Sequence, residues 1–270
     1  MTTGTVDLYN HAYGDFGGAA EEAVRRETYG EELGQTSWLT APEWLRFADQ
    51  AGITAASDVL EVGSGSGGPG VYLAGERGCR LTGVDINEHG VRNANALANT
   101  RGLGERVQFQ TVDASEALPF PTARFDAVLC NDAICHIRHR DAVLREWQRV
   151  LRPGGRALFT DALVITGVVS QEEIANRSSI GFYLFVPPGE NERLLGAAGF
   201  TLLGVEDVTQ AAADIARRRH DARERYRAAL VAREGDANFD GLQRFLMGVH
   251  TLSAERRLSR FAYLAEKPRA

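Results

Sequence analysis

The stretch from about residue 57 to 160 predicts an α/β fold built on a parallel, doubly wound sheet. Short apolar runs alternate with amphipathic stretches there, a glycine-rich turn joins the first run to the first helix, and a carboxylate stands at or just past the end of each of the first three runs. In order, residues 59–62 form the first strand, 71–76 begin a helix, 80–84 form a second strand, and 88 to about 100 are helical. Residues 107–112 and 125–130 read as strands three and four, 141–151 as an amphipathic helix, and 156–160 as strand five after a Pro153-Gly154-Gly155 turn. A helix at 191–198, a strand at 201–206 and an alternating strand at 260–266 follow. A bare sheet needs neither 162–190 nor the helical stretch at 209–256; with residues 1–40 they are expected to cover it.

Composition narrows the function classes. In 270 residues, 44% hydrophobic side chains allow a sizeable core, and a net charge of −6 lacks the basic surface of a general nucleic-acid binder. Arg217-Arg218-Arg219 lies among Asp214, Asp221 and Glu224 and reads as a solvated helix face. Cys79, Cys130 and Cys135 make an odd count without a secreted-type framework, no run approaches a membrane span, and the first 20 residues show no basic-then-apolar leader. The expectation is a cytoplasmic protein with a small-molecule partner, and with neither nucleic acid nor membrane as a partner. Oligomeric state is open, a homodimer included.

Asp58-Val59-Leu60-Glu61-Val62-Gly63-Ser64-Gly65-Ser66-Gly67-Gly68 places the glycine turn between a strand and a helix, where the backbone can approach a ligand. Taken alone this turn also fits a dinucleotide site or a plain tight turn. Asp85, 22 residues after Gly63, can accept the hydroxyls of a ribose. Asp113, beside Ala114, can take an adenine amino group, while Glu61 would repel a pyrophosphate and attract an ammonium. Adenine, ribose and an amino-acid ammonium without phosphate describe S-adenosylmethionine.

Five motifs then stand in a familiar order: Leu60 to Gly67, Gly83-Val84-Asp85-Ile86, Val112-Asp113-Ala114, Phe125-Asp126-Ala127-Val128 and Leu151-Arg152-Pro153-Gly154-Gly155. Through them residues 57–160 resemble the class I S-adenosylmethionine-dependent methyltransferases. The resemblance implies a Rossmann-like seven-stranded sheet whose antiparallel last strand is 260–266, with S-adenosylmethionine as cofactor and S-adenosylhomocysteine as product. It implies that Gly63, Ser64 and Gly65 wrap the methionine portion, Asp85 binds the ribose, Ile86 packs on the adenine, and Asp113 and Ala114 read its edge; Asn131 joins this cofactor set. The expected organisation is one methyltransferase domain over 1–270: an N-terminal lid at 1–40, a cofactor-binding core at 57–161, and cap insertions at 162–190 and 209–256.

The acceptor side resembles one subgroup, the N-methyltransferases of small amines such as sarcosine, dimethylglycine and phosphoethanolamine. The resemblance is carried by Cys130 to Ile137, by Thr160-Asp161, and by Tyr13 with Tyr29-Gly30-Glu31. It implies cofactor-carboxylate contacts at Gln35 and Thr36, although Gly34-Gln35-Thr36-Ser37 departs from the usual pattern. An amine nitrogen is therefore the expected acceptor, with an oxygen or carbon acceptor on a specialised metabolite as the alternative. A NAD-dependent oxidoreductase and a catalytically silent module are the rivals.

A sulfonium methyl is already activated, so the site must chiefly position a deprotonated acceptor. His136 is the candidate base, or a structural side chain, and Tyr13 the candidate to close the cap and orient the acceptor. Phe182 and Tyr183 offer an aromatic wall, and Arg177 either neutralises an acceptor carboxylate or sits on the surface. Tyr226, Arg244 and His250 are possible lid contacts. Cys130, Asp132, Cys135, His136 and His139 match no closed zinc spacing, so no metal is expected.

Overall fold

The computed structural model describes residues 18–269. Helices α1 (Ala19–Tyr29) and α2 (Ala41–Gln50) precede β1 (Asp58–Val62), α3 (Gly68–Arg77), β2 (Arg80–Asp85), α4 (Glu88–Thr100), β3 (Val107–Thr111) and β4 (Phe125–Cys130). A single 3-10 turn, Ile134–His136, leads into α5 (Arg140–Val150) and β5 (Leu151–Ile165). Then come α6 (Gln171–Arg177), α7 (Glu190–Ala197), β6 (Thr201–Asp207), α8 (Thr209–Arg225), α9 (Arg227–Glu234), α10 (Asp236–Ala254) and β7 (Leu258–Glu266). Seven strands form one sheet in the order β3-β2-β1-β4-β5-β7-β6. The first five pair in parallel, and β7 inserts antiparallel between β5 and β6. The seven-stranded Rossmann-like architecture with its antiparallel last strand is thus present.

Alternation along β1 divides the core between the two sheet faces. Val59 packs with Trp44, Phe47, Leu73 and Ala94 on one side, whereas Leu60 and Val62 pack with Leu144, Trp147 and Phe159 on the other. Glu61 shares the face of Val59 and points at α3, where Gly70 leaves it room: a Cβ there would strike the Glu61 carboxylate. Local signals set the helix starts. Thr40 accepts the Glu43 N–H at 3.4 Å ahead of α2, and Asn87 accepts the Gly90 N–H at 3.0 Å ahead of α4. Pro69 in the first turn of α3 starts that helix three residues before the expected position.

A third core joins α1, α8 and α10 to the carboxyl end of β5. Tyr29 of α1, Trp38, Ala162 of β5, Ile180, Ile215 and Ala216 of α8, and Phe245 of α10 are buried together. None of the described helices is long and apolar enough to cross a membrane.

Strand β5 differs from expectation at both ends. Phe125 pairs with Leu151 and Ala127 with Arg156, so two steps on β4 face five on β5, and Arg152–Gly155 is taken up as a bulge with Gly154 at φ +78°. The expected turn is therefore a kink inside a continuous strand. At the other end β5 runs to Ile165 because β7 continues alongside it, pairing Val164 with Ser259 and Ile165 with Leu258.

Candidate functional site

The carboxyl ends of β1 to β4 open into a cavity of about 430 Å³. The parallel strands deliver their terminal acids to its edge: Glu61 from β1, Asp85 from β2 and Asp113 just past β3. Gly63, Ser64 and Gly65 line it from the loop between β1 and α3. Gly63 has φ +73°, and a Cβ on it would run into the Ala133 methyl group, so the loop and the segment after β4 close on each other only because the residue is glycine. Asp85 orders the same loop: its carboxylate accepts the Gly65 and Asn87 N–H groups, each at 2.8 Å.

The residues present fit S-adenosylmethionine. Glu61 is 3% exposed and its Oε2 has no hydrogen-bond partner among the described residues; the buried hydroxyls of Ser64 and Ser66 are likewise unmatched. Burial pushes the Glu61 carboxyl up to about 8, with the negative charge of Asp85 adding to it. A ligand ammonium answers this deficit; a phosphate would worsen it. Ile86 is 68% exposed at the cavity rim, an apolar surface awaiting a flat ring. Asp113 accepts the Ser115 N–H at 2.9 Å and lies beside Ala114 on the same wall.

Gln35, Thr36, Ser37 and Trp38 cross the cavity from the N-terminal side. Gln35 accepts the Leu33 N–H at 2.7 Å, and Asn131 donates to the Ser37 hydroxyl at 2.6 Å, which ties this crossing to the loop after β4. Beneath it, fully buried Arg260 of β7 bonds Asp132 at 2.8 Å and Glu43 at 2.9 Å. Asp132, at φ +53°, also accepts the Trp38 N–H at 3.0 Å and the Thr160 hydroxyl at 2.7 Å.

The opposite end of the cavity is formed by His136, Ile137, Arg177, Ile180, Phe182, Tyr183 and Phe245. His136 Nδ1 lies 3.0 Å from the Phe182 carbonyl. A carbonyl can only accept, so Nδ1 carries the proton and Nε2 is the basic nitrogen. Burial pushes the imidazole down to about 4 against the raising effect of that hydrogen bond, and the charge of Arg177 lowers it further, so the ring is neutral at physiological pH. Its ring centroid is 4.3 Å from that of Tyr183.

One cavity therefore gathers every candidate named from the sequence except Tyr13, which lies outside the described residues, and those below. Arg177 is buried, not on the surface. Asp161 is also buried, but alternation in β5 turns it away from the cavity, where it pairs with Arg140 at 2.6 Å and accepts from Asn191 at 3.0 Å. Tyr226 donates to Glu27 at 2.7 Å, His250 Nδ1 lies 3.0 Å from the Ala213 carbonyl, and neither they nor Arg244 line the cavity. No group of three or more His, Cys, Asp or Glu among the described residues is arranged to hold a metal.

The arginine triplet corrects the expectation of a solvated face. Arg217 does pair outward with Asp221, but Arg218 donates to the Thr28 carbonyl at 2.7 Å, and Arg219 lines the cavity with its guanidinium 3.4 Å from the Thr36 carbonyl. Together with Trp38 and Phe245, Arg219 is a site residue that motif reading missed. No local pattern marks these three, since each reaches the site only through the third core.

Residues 60–159 match the family described as Methyltransferase domain. The chain is 33% identical over 168 residues to the 27-O-demethylrifamycin SV methyltransferase of Amycolatopsis mediterranei, the match covering 61% of each. It is 32% identical over 212 residues to the glycine/sarcosine/dimethylglycine N-methyltransferase of Actinopolyspora halophila, 75% of this chain and 34% of that protein. The match spans less than two thirds of either relative. A crystal structure of the cyclase SpnF superposes with a TM-score of 0.78 at 22% identity, over 97% of this chain and 96% of that one, a likeness of fold. Residues 60–159 thus match the methyltransferase-domain family, in a chain with a seven-stranded Rossmann-like α/β fold.

Proposed function

We propose that this chain transfers the methyl group of S-adenosylmethionine to a small-molecule acceptor held between His136 and the aromatic wall, releasing S-adenosylhomocysteine. The observation that carries this reading is a single cavity with two chemically different ends: a row of strand-end acids, and a half-buried histidine among aromatic rings. When bound, the cofactor supplies a methyl group already activated as a sulfonium. On the chain's side, Asp85 holds the ribose hydroxyls, Ile86 covers the adenine, Asp113 and Ala114 meet its edge, and Glu61 takes the ammonium. Gln35, Thr36 and Arg219 hold the carboxylate end, and Gly63, Ser64, Gly65 and Asn131 shape the space between.

His136 receives the acceptor proton at Nε2. With its pKa near 4 it cannot hold the proton of an alcohol or ammonium at equilibrium, so it passes an ammonium's proton on to water before attack, or takes a hydroxyl's proton as the oxygen becomes cationic on attack. Phe182 and Tyr183 position the acceptor and exclude water; Tyr13 is proposed to complete that closure. We further propose that the chain works as one domain over 1–270, with 1–40 as lid and 162–190 and 209–256 as cap. Its three cysteines are free and buried, which suits a cytoplasmic setting.

The likeness to the glycine/sarcosine/dimethylglycine enzyme supports an amine nitrogen as acceptor. Likeness to the rifamycin enzyme, together with a largely apolar acceptor end, supports a hydroxyl as the second reading. Labelled-methyl transfer against paired amine and hydroxyl acceptors, with the methylated atom identified by mass spectrometry, decides between them.

A further inference from the structure

We propose that the acceptor presents an anionic oxygen to Arg177. The proposal rests on the methyl-transfer reading above and narrows its substrate class. Arg177 ends α6, is 3% exposed and lines the acceptor end of the cavity, and its Nη1 has no hydrogen-bond partner among the described residues. Its guanidinium carbon lies 4.7 Å from the Tyr183 ring centroid, 5.0 Å from that of Phe245 and 6.0 Å from that of Trp38. The two carboxylates whose charge reaches neighbouring His136 are committed elsewhere: Asp161 to Arg140 at 2.6 Å, and Asp132 to Arg260 at 2.8 Å.

A buried guanidinium needs a counter-charge or a full set of acceptors. Ring faces return part of the hydration it loses, but they supply no acceptor for Nη1. An anionic ligand oxygen supplies both, and rings on three sides favour a flat or compact bearer. The aromatic cage also argues against a quaternary or ammonium group in the same place, because its cation is already there. An anion on Arg177 further cancels the field that weakens His136 as a base, so acceptor binding prepares its own deprotonation.

Two sources of that oxygen share this chemistry. In one, a carboxylate anchors the molecule and an amine nitrogen attacks. In the other, the reacting oxygen itself arrives as a phenolate or enolate. In either case the new N–CH₃ or O–CH₃ bond forms as the methyl–sulfur bond breaks, and the electron pair of that bond stays on sulfur as S-adenosylhomocysteine. An amine arriving as an ammonium first loses its proton, relayed through His136 to bulk water, and attacks as the free base; the methylated nitrogen leaves as an ammonium, whereas the phenolate has lost its proton before attack.

The test uses the full chain saturated with S-adenosylhomocysteine and three probes: benzoate, 4-nitrophenol and benzylamine. Both anions are expected to bind at least tenfold more tightly than benzylamine. Bound 4-nitrophenol is expected to ionise at lower pH than in solution, because a cation favours the phenolate while burial alone disfavours it. Arg177→Met should abolish both effects and Arg177→Lys should keep their sign, with S-adenosylhomocysteine affinity reporting on the fold of each variant. With S-adenosylmethionine in place of the product, loss of nitrophenolate colour by methylation identifies a reacting oxygen, while methylation of sarcosine identifies a carboxylate anchor. Benzylamine binding as well as benzoate, absence of anion binding, an unchanged or raised nitrophenol midpoint, or anion preference surviving in Arg177→Met would each overturn the proposal. Failure of the wild-type chain to bind S-adenosylhomocysteine would instead refute the cofactor reading beneath it.

Discussion

Glu61 makes cofactor binding a proton-coupled event whose size follows from its burial. With a carboxyl pKa of about 8, roughly 90% of empty sites carry a protonated Glu61 at pH 7. Seating an ammonium against the Glu61 carboxyl group favours the carboxylate, so binding at pH 7 should release about 0.9 proton. The sign is that of a raised acid: the ionised form that binds becomes scarcer as pH falls. Affinity for S-adenosylhomocysteine should therefore weaken about tenfold, or ~1.4 kcal/mol, from pH 7 to pH 6, where the ligand's own ammonium stays charged. Calorimetric titration in buffers of different ionisation enthalpy counts the protons directly. 5′-Methylthioadenosine, which lacks the amino-acid portion, should bind without release, and Glu61→Gln should abolish release for both ligands. Equal release with 5′-methylthioadenosine, or release persisting in Glu61→Gln, would refute the pairing of Glu61 with the ammonium.

Asp85→Ala should weaken S-adenosylhomocysteine by roughly 10- to 100-fold, the loss of charged hydrogen bonds to a diol, and 2′-deoxy cofactor analogues should lose much less against the variant than against the wild type. His136→Ala should lower turnover by about 10²-fold or more near pH 7 and less at high pH, where the acceptor ionises unaided. In the wild type, no rate limb is expected near pH 6.5, because desolvation holds the imidazole down to about 4; a limb at 6.5 in kcat would contradict that desolvation. Arg260→Met leaves Asp132 and Glu43 buried without their cation and should cost about 3–5 kcal/mol in denaturant unfolding, whereas a change under 1 kcal/mol would show that this network is not structural.

The cofactor half was legible in the sequence because its signals are local. Helix 88–100 appears as the sequence predicts, bounded by its Asn87 cap, and the acids stand within two residues of their strands' carboxyl ends. The acceptor half depends on packing between distant segments. Arg177 meets Trp38 and Phe245, residues far away on either side in the chain, so nothing near it in sequence distinguishes burial from exposure. Arg219 shows the same limit: its charged neighbours pointed to solvent, yet one turn of α8 faces α1 and the crossing at Thr36. Asp161 lies one residue past the strand end that the sequence suggests, inside the longer β5, and its partners Arg140 and Asn191 come from separate segments that no local pattern ties to it. The extra length of β5 likewise needed β7, about 100 residues later, to become visible.

The fold does not by itself guarantee methyl transfer, since a structural neighbour with the same architecture is a cyclase. Incubation of the full chain with methyl-labelled S-adenosylmethionine and a panel of amines, phenols and hydroxylated carboxylic acids tests it most directly. A labelled product is expected from an acceptor bearing an anionic oxygen, together with stoichiometric S-adenosylhomocysteine, and a sharp loss of label with His136→Ala where the reacting atom is an amine nitrogen. Acceptors consumed without incorporation of label, or tight cofactor binding with no transfer to any member of the panel, would contradict methyl transfer.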